Sequence, residues 1–165
     1  MNFNNLPLEA ELLDGLQAMN FKEATPIQEK AIPLILAKKD IIACAQTGTG
    51  KTAAYLLPIL NILCQRKHPE DKINALIMVP TRELALQIDQ QLDAFAYFLP
   101  VTSVAVYGGG DGAIFSQQEK AMRSGVDVVI ATPGRLIALL NMGKIDMSFV
   151  QFFVLDEADR MLEMG

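Results

Sequence analysis

Five short runs of aliphatic and β-branched residues punctuate the chain, at 41–45, 75–79, 102–107, 127–131 and 152–155. Runs this short and this uniformly apolar fit strands buried on both faces, as in a parallel sheet. Between them the apolar spacing changes from continuous to three-and-four. In 83–99, Leu84, Ile88, Leu92, Phe95 and Leu99 fall on one face of an amphipathic helix. Helical spacing is also read at 8–19, 26–36, 51–63, 116–123 and 133–141, with Pro58 expected to kink the third of these. Strands alternating with helices predict a doubly wound, mostly parallel α/β sheet with right-handed crossovers. The polar stretch 65–72 reads as a surface turn, and no tandem repeat interrupts the pattern.

Composition narrows the class. The 165 residues are 51% hydrophobic, with a mean hydropathy of +0.25, which excludes a disordered tail and suits one domain with a real core. No apolar run reaches the roughly 18 residues of a membrane span. The opening MNFNNLPLEA lacks both a basic and an apolar signal region, so a cleaved secretion signal is not expected. Cys44 and Cys64 form no metal spacing and read as small core fillers in a reduced, intracellular setting. His68, in the polar stretch, reads as solvated. The net charge of −5 argues against a basic nucleic-acid footprint. That charge is uneven, however. Residues 1–80 are neutral, and Asp156, Glu157, Asp159 and Glu163 crowd the last ten positions against Arg160 alone.

The strongest chemical signal lies between an apolar run and a helix: Ala45-Gln46-Thr47-Gly48-Thr49-Gly50-Lys51-Thr52. It matches the phosphate-binding loop with alanine at the first glycine position. Gly48 and Gly50 permit the tight turn that aims successive amides at one anion, Lys51 reaches the β- and γ-phosphates, and the Thr52 hydroxyl suits Mg²⁺. A second signal ends the last apolar run in Asp156-Glu157. Asp156 can hold Mg²⁺ through water, and Glu157 can orient the attacking water. Together the two signals specify a nucleoside triphosphatase. Thr25-Pro26, Thr81-Arg82 and Thr132-Pro133 open helices with an N-cap residue, and the same free amides that capping satisfies also attract phosphate.

Asp156-Glu157-Ala158-Asp159, in the setting VLDEADRMLEMG, resembles the signature of the DEAD-box RNA helicases. The loop AQTGTGKT is similar to theirs, including its first alanine. The resemblance continues through Pro80-Thr81-Arg82-Glu83-Leu84-Ala85, Gly108-Gly109 and Thr132-Pro133-Gly134-Arg135, and runs from near Phe3 to the last residue. DEADRMLEMG is similar to a bacterial branch that remodels ribosomes and RNA. The segment 21–28 resembles the family's adenine-reading motif, which assigns Phe21 to stacking on the base and Gln28 to its N6/N7 edge; Phe3 matches an isolated upstream aromatic.

The resemblance implies a RecA-like, phosphate-loop ATPase domain. Residues 1–37 would form the adenine-motif region and 38–165 the first ATP-binding domain, cut short on its C-terminal side. A later Ser-Ala-Thr motif, to which Asp159 couples in the family, and a second RecA-like domain would lie beyond. It implies ATP and Mg²⁺ as cofactors and a cytoplasmic protein. RNA would be held through its backbone by Thr81, Arg82, Gly108, Gly109, Thr132, Gly134 and Arg135, without base specificity. Glu83 is expected to brace its own helix start. The implied activity is ATP-dependent RNA remodelling or unwinding, which these residues alone would not complete. A small-molecule kinase and an ATP-gated RNA clamp are the competing classes.

Overall fold

A computed structural model gives the fold and describes residues 1–164. A 3-10 turn at Phe3–Asn5 precedes α1 (Ala10–Ala18), α2 (Pro26–Leu36), α3 (Lys51–Cys64), β1 (Ala75–Met78), α4 (Arg82–Phe95), β2 (Ser103–Val106), α5 (Gly112–Ser124), β3 (Val128–Ala131), α6 (Pro133–Leu140), β4 (Phe152–Leu155) and α7 (Ala158–Glu163). The chain forms two compact units. One comprises Met1–Lys67 and Leu92–Val101, the other His68–Gln91 and Thr102–Gly165.

The first unit is helical. α2 and α1 both pack on α3, and the apolar side chains Leu12, Leu16, Ile32, Leu56, Leu57, Leu60 and Leu63 are buried essentially completely. Each such burial contributes ~1.5–3 kcal/mol. α3 runs on through Pro58, itself buried, with nine of its fourteen residues inside. Asn61 is polar and buried because it has a partner: its Oδ1 accepts from the Glu9 amide at 2.6 Å, fixing the start of α1. Cys64 donates to the Asn61 carbonyl at 3.2 Å. Burial, aided by Glu9 and Glu11, pushes its thiol up to about 11. Cys44, expected as a core filler, is instead exposed.

The run 41–45 is the one expected strand that does not form. It is irregular, and Ile42 is 97% exposed. An apolar run becomes a strand only where a neighbour offers ladder partners, and among the described residues no strand pairs with it.

The second unit holds a four-stranded sheet in the order β2-β3-β1-β4, parallel throughout. The four strands fall inside the remaining apolar runs, and α4, α5 and α6 supply the crossovers that parallel neighbours require. β1 and β3 are the central pair, so Val128, Val129, Ile130 and Ala131 are wholly buried. On one side Leu76, Val106, Val129, Met122, Leu136 and Leu139 form a cluster with Phe115, Met147 and Val150 against it. β4, one of the two outer strands, buries less: Phe153 and Leu155 are 58% and 51% exposed.

Backbone bonds pin the amino ends of all four strands. The Asn74 carbonyl accepts from Gln151 and Phe152, the Asp127 carbonyl accepts from Asn74 and Ala75, and Val128 donates to the Thr102 carbonyl. Asp127 also accepts from the Thr102 amide at 2.9 Å. Asn74, fully buried, donates from Nδ2 to the Lys72 carbonyl at 2.8 Å. His68 joins this group rather than standing in solvent. Its ring is 8% exposed, 3.1 Å from Asn74 Nδ2 and 3.8 Å from the Asp127 carboxylate. The stretch 65–72 is otherwise largely exposed, as a surface turn, and His68 turns its ring inward because buried strand ends need partners for their polar groups.

Gly125, which ends α5, sits at φ 84°, and a Cβ there would run into the backbone of Asp71 and Lys72. Gly125→Ala therefore combines left-handed strain with a clash against backbone that cannot swing away. It should destabilise the chain by about 2 to 4 kcal/mol in urea unfolding followed by circular dichroism.

Candidate functional site

The glycine loop belongs to the first unit. Gly48 and Gly50 both have φ 83°, and Gly50 caps the N-terminus of α3 in the left-handed conformation. Thr49 closes the turn by donating from Oγ1 to the Gln46 carbonyl at 2.5 Å. Lys51 and Thr52 form the first turn of α3 and are half-buried, as is Ala45; Gln46, Thr47 and Gly48 are exposed. Turn, free helix amides and a lysine at the first helical position are the elements of an anion cradle.

Gln28 is tied directly to this loop. It is 2% exposed. Its Oε1 accepts from the Thr25 amide at 2.9 Å, holding the entry to α2, and its Nε2 donates to the Gly50 carbonyl at 3.1 Å. The same carbonyl accepts from Ala54 in the first turn of α3. One N–H and one lone pair of the carboxamide stay uncommitted, the combination that the N6/N7 edge of adenine matches. Phe21 stands edge-on to the buried Phe95, with ring centroids 5.5 Å apart. It also lines a cavity of about 180 Å³ with Phe3, Leu13, Leu16, Gln17 and Lys22. Phe3, the upstream aromatic, is buried.

In the second unit every expected site residue emerges at one edge of the sheet. The strands are parallel and in register, so the segments after β1, β2, β3 and β4 leave together from the carboxyl ends. They carry Thr81-Arg82, Gly108-Gly109, Thr132 to Arg135 and Asp156-Glu157 respectively. The ladder runs past the strands: Thr132 donates to the Val106 carbonyl, Val79 to Ala131, and Asp156 to Met78. Open α/β sheets place their ligands at this edge.

Gly109 is the meeting point of the two arginines. Arg135 donates from Nη2 to the Gly109 carbonyl at 3.2 Å and from Nη1 to Gln118 Oε1 at 2.8 Å, with its guanidinium 5.0 Å above the Phe115 ring. Arg82 lies over Tyr107 at 5.0 Å, and its Nη1 would be 3.4 Å from a Cβ on Gly109. Gly109 has φ 87°, and a Cβ at Gly108 or Gly134 would meet nothing within 4 Å, so both backbones are open to a ligand. Thr81 Oγ1 accepts from the Leu84 amide at 3.2 Å and caps α4. Thr132 opens α6 ahead of Pro133 without spending its side chain on a cap.

At the end of β4, Glu157 takes a left-handed φ of 54° and its carboxylate lies 3.5 Å from Arg160; Asp159 is exposed. Among the described residues no group of three or more His, Cys, Asp and Glu side chains could hold a metal ion. Tyr107, Phe115 and Gln118 escaped the sequence reading. A signal for Gln118 existed: Phe115, Gln118 and Met122 share one face of α5, so the glutamine is a polar residue at a core position.

Among the described residues no helix is long and apolar enough to cross a membrane. The family model for the DEAD/DEAH box helicase matches residues 25–165. Over 164 residues the chain is 48% identical to a Dictyostelium discoideum protein named "Probable ATP-dependent RNA helicase ddx27", covering 99% of this chain and 21% of that protein. It is 43% identical to the ATP-dependent RNA helicase CshA of Listeria monocytogenes, covering 99% of this chain and 30% of the relative. It is also 43% identical to the ATP-dependent RNA helicase RhlB of Aliivibrio salmonicida, covering 99% and 38%. The chain thus spans between about a fifth and two-fifths of the length of these relatives.

The glycine loop supplies its own test. A Cβ at Gly50 would collide with the buried Gln28 carboxamide, at a backbone angle that L side chains rarely adopt. Gly50→Ala should lower stability by about 1 to 3 kcal/mol in urea unfolding.

Proposed function

The chain belongs to the DEAD/DEAH box helicase family, and from that premise we propose that it forms the ATP-binding and part of the RNA-binding surface of an ATP-dependent RNA helicase. The observation that carries this reading is the shared carboxyl edge of the sheet. There two guanidiniums, two open glycine backbones and the N-termini of α4 and α6 gather in one unit. Such a surface binds phosphates by position and charge and reads no base. It also resolves the conflict with a net charge of −5, because backbone amides and two arginines need no basic patch.

In this reading the loop from Ala45 to Thr52 wraps the phosphates of ATP, with Lys51 on the β- and γ-phosphates. Phe21 stacks on adenine, and Gln28 uses its spare donor and acceptor on the base edge. Thr52 and Asp156 are the oxygen donors for Mg²⁺, a hard cation that takes one or two protein oxygens and completes its shell with phosphate and water. When bound, Mg²⁺ neutralises charge building on the phosphates. Glu157 orients the attacking water with acceptor capacity that its contact with Arg160, made through one carboxylate oxygen, leaves open. Thr81, Arg82, Gly108, Gly109, Thr132, Gly134 and Arg135 hold the RNA backbone. Asp159 serves coupling between domains. The cytoplasm, the division at residues 37 and 38, and a second RecA-like domain that supplies further charge to the transition state complete the proposal.

Two measurements test it on the longest natural protein that carries this sequence. Single-stranded RNA should stimulate ATP hydrolysis, Lys51→Ala should abolish turnover, and Glu157→Gln should retain ATP and RNA binding while lowering kcat by about 100-fold or more. Hydrolysis indifferent to RNA, or intact in Lys51→Ala, would overturn the reading. The adenine assignment is separate: Gln28→Ala should weaken ATP more than GTP in equilibrium titration, and equal losses would remove it.

A further inference from the structure

Arg135 is held on three sides, by the Gly109 carbonyl and by two groups outside the family-like motifs that the sequence displayed, Gln118 and Phe115. Gln118 Oε1 takes one N–H at 2.8 Å, the Gly109 carbonyl takes another at 3.2 Å, and the Phe115 ring lies under the guanidinium at 5.0 Å. A guanidinium has five N–H donors, so three remain for another acceptor. Gln118 is 5% exposed. It occupies a position on α5 between Phe115 and Met122, both packed with the apolar cluster beside the sheet. A carboxamide buried there is costly unless bonded, and its acceptor is spent on an arginine side chain rather than on backbone.

We propose that Gln118, with the Phe115 ring, is a positioning residue that presets the Arg135 guanidinium for an RNA phosphate. The proposal rests on the reading of Arg135 as a phosphate contact. Arginine loses much of its rotamer freedom when it engages a ligand. Here part of that loss is already taken in the folded chain, because hydrogen bonds and a ring fix the plane of the guanidinium. The Gly109 carbonyl adds a second consequence. The same arginine that faces RNA also anchors the glycine loop after β2, so the plane of Arg135 and the path of Gly108-Gly109 are set together. Neither Gln118 nor Phe115 needs to touch RNA for this.

The test uses Arg135→Ala, Gln118→Ala, Gln118→Glu and the double variant Gln118→Ala/Arg135→Ala in the longest natural protein carrying the sequence. The readouts are the RNA concentration for half-maximal ATP hydrolysis and the KM for ATP. Arg135→Ala should raise the RNA requirement, and Gln118→Ala should raise it about 5-fold, the net worth of a typical hydrogen bond, with the KM for ATP unchanged. Gln118→Glu, which keeps an acceptor toward the guanidinium, should restore most of the loss. In the Arg135→Ala background, Gln118→Ala should add nothing. If Arg135→Ala leaves the RNA requirement unchanged, the phosphate reading of Arg135 falls and the positioning role with it. If Arg135→Ala impairs RNA use while Gln118→Ala does not, only the positioning role is overturned. A Gln118→Ala loss that persists in full without Arg135, or that also moves the KM for ATP, marks Gln118 as a packing residue and overturns the proposal equally.

Discussion

The register of the parallel sheet governs everything that follows it along the chain. At the amino edge, Asn74, Thr102 and Asp127 bind neighbouring strand starts to one another through backbone carbonyls, and Asn74 and Asp127 add their side chains. A one-residue slip in any strand would turn its side chains to the opposite face. It would also displace the segment that follows. Because the strands are only four residues long, the two ends of each strand are about 10 Å apart. A constraint at one end is therefore felt at the other.

The first unit shows a different economy, in which one atom serves two elements. The Gly50 carbonyl accepts from Ala54 in its own helix and from Gln28, twenty-two residues earlier. The loop that turns through Gly48 and Gly50 is thereby coupled to the start of α2, and the segment 21–28 and the glycine loop form one structural piece. A glutamine with both ends of its carboxamide already engaged is rigid. Rigidity is what a group needs if it is to discriminate a donor from an acceptor on a base edge.

Most of the second unit was legible in the sequence because its signals are local. Four apolar runs became four strands, and the threonine, proline and glycine punctuation after them marked the loops correctly. The run 41–45 had the same composition as the others yet is not a strand, since pairing is a property of neighbours and not of the run itself. Cys44 and His68 failed in opposite directions for the same reason: Cys44 follows that unpaired segment into solvent, whereas His68 is drawn in by buried strand ends. Gln118 was invisible as a partner of Arg135 because the two lie 17 residues apart and meet only in the folded chain. The family-like motifs named Arg135 but not Gln118 and Phe115, which hold its guanidinium in place.

β4 carries an implication of its own. It is an outer strand, with one ladder satisfied by β1 and its other side without a strand partner among the described residues. Phe153 and Leu155, on one face, stand half in water. An open row of amides and carbonyls beside apolar side chains is a template for another strand of matching length. The same four residues that deliver Asp156 and Glu157 to the carboxyl edge thus form an open edge of the kind that pairs with other strands, and Phe153→Lys is the kind of gatekeeper substitution that blunts such an edge.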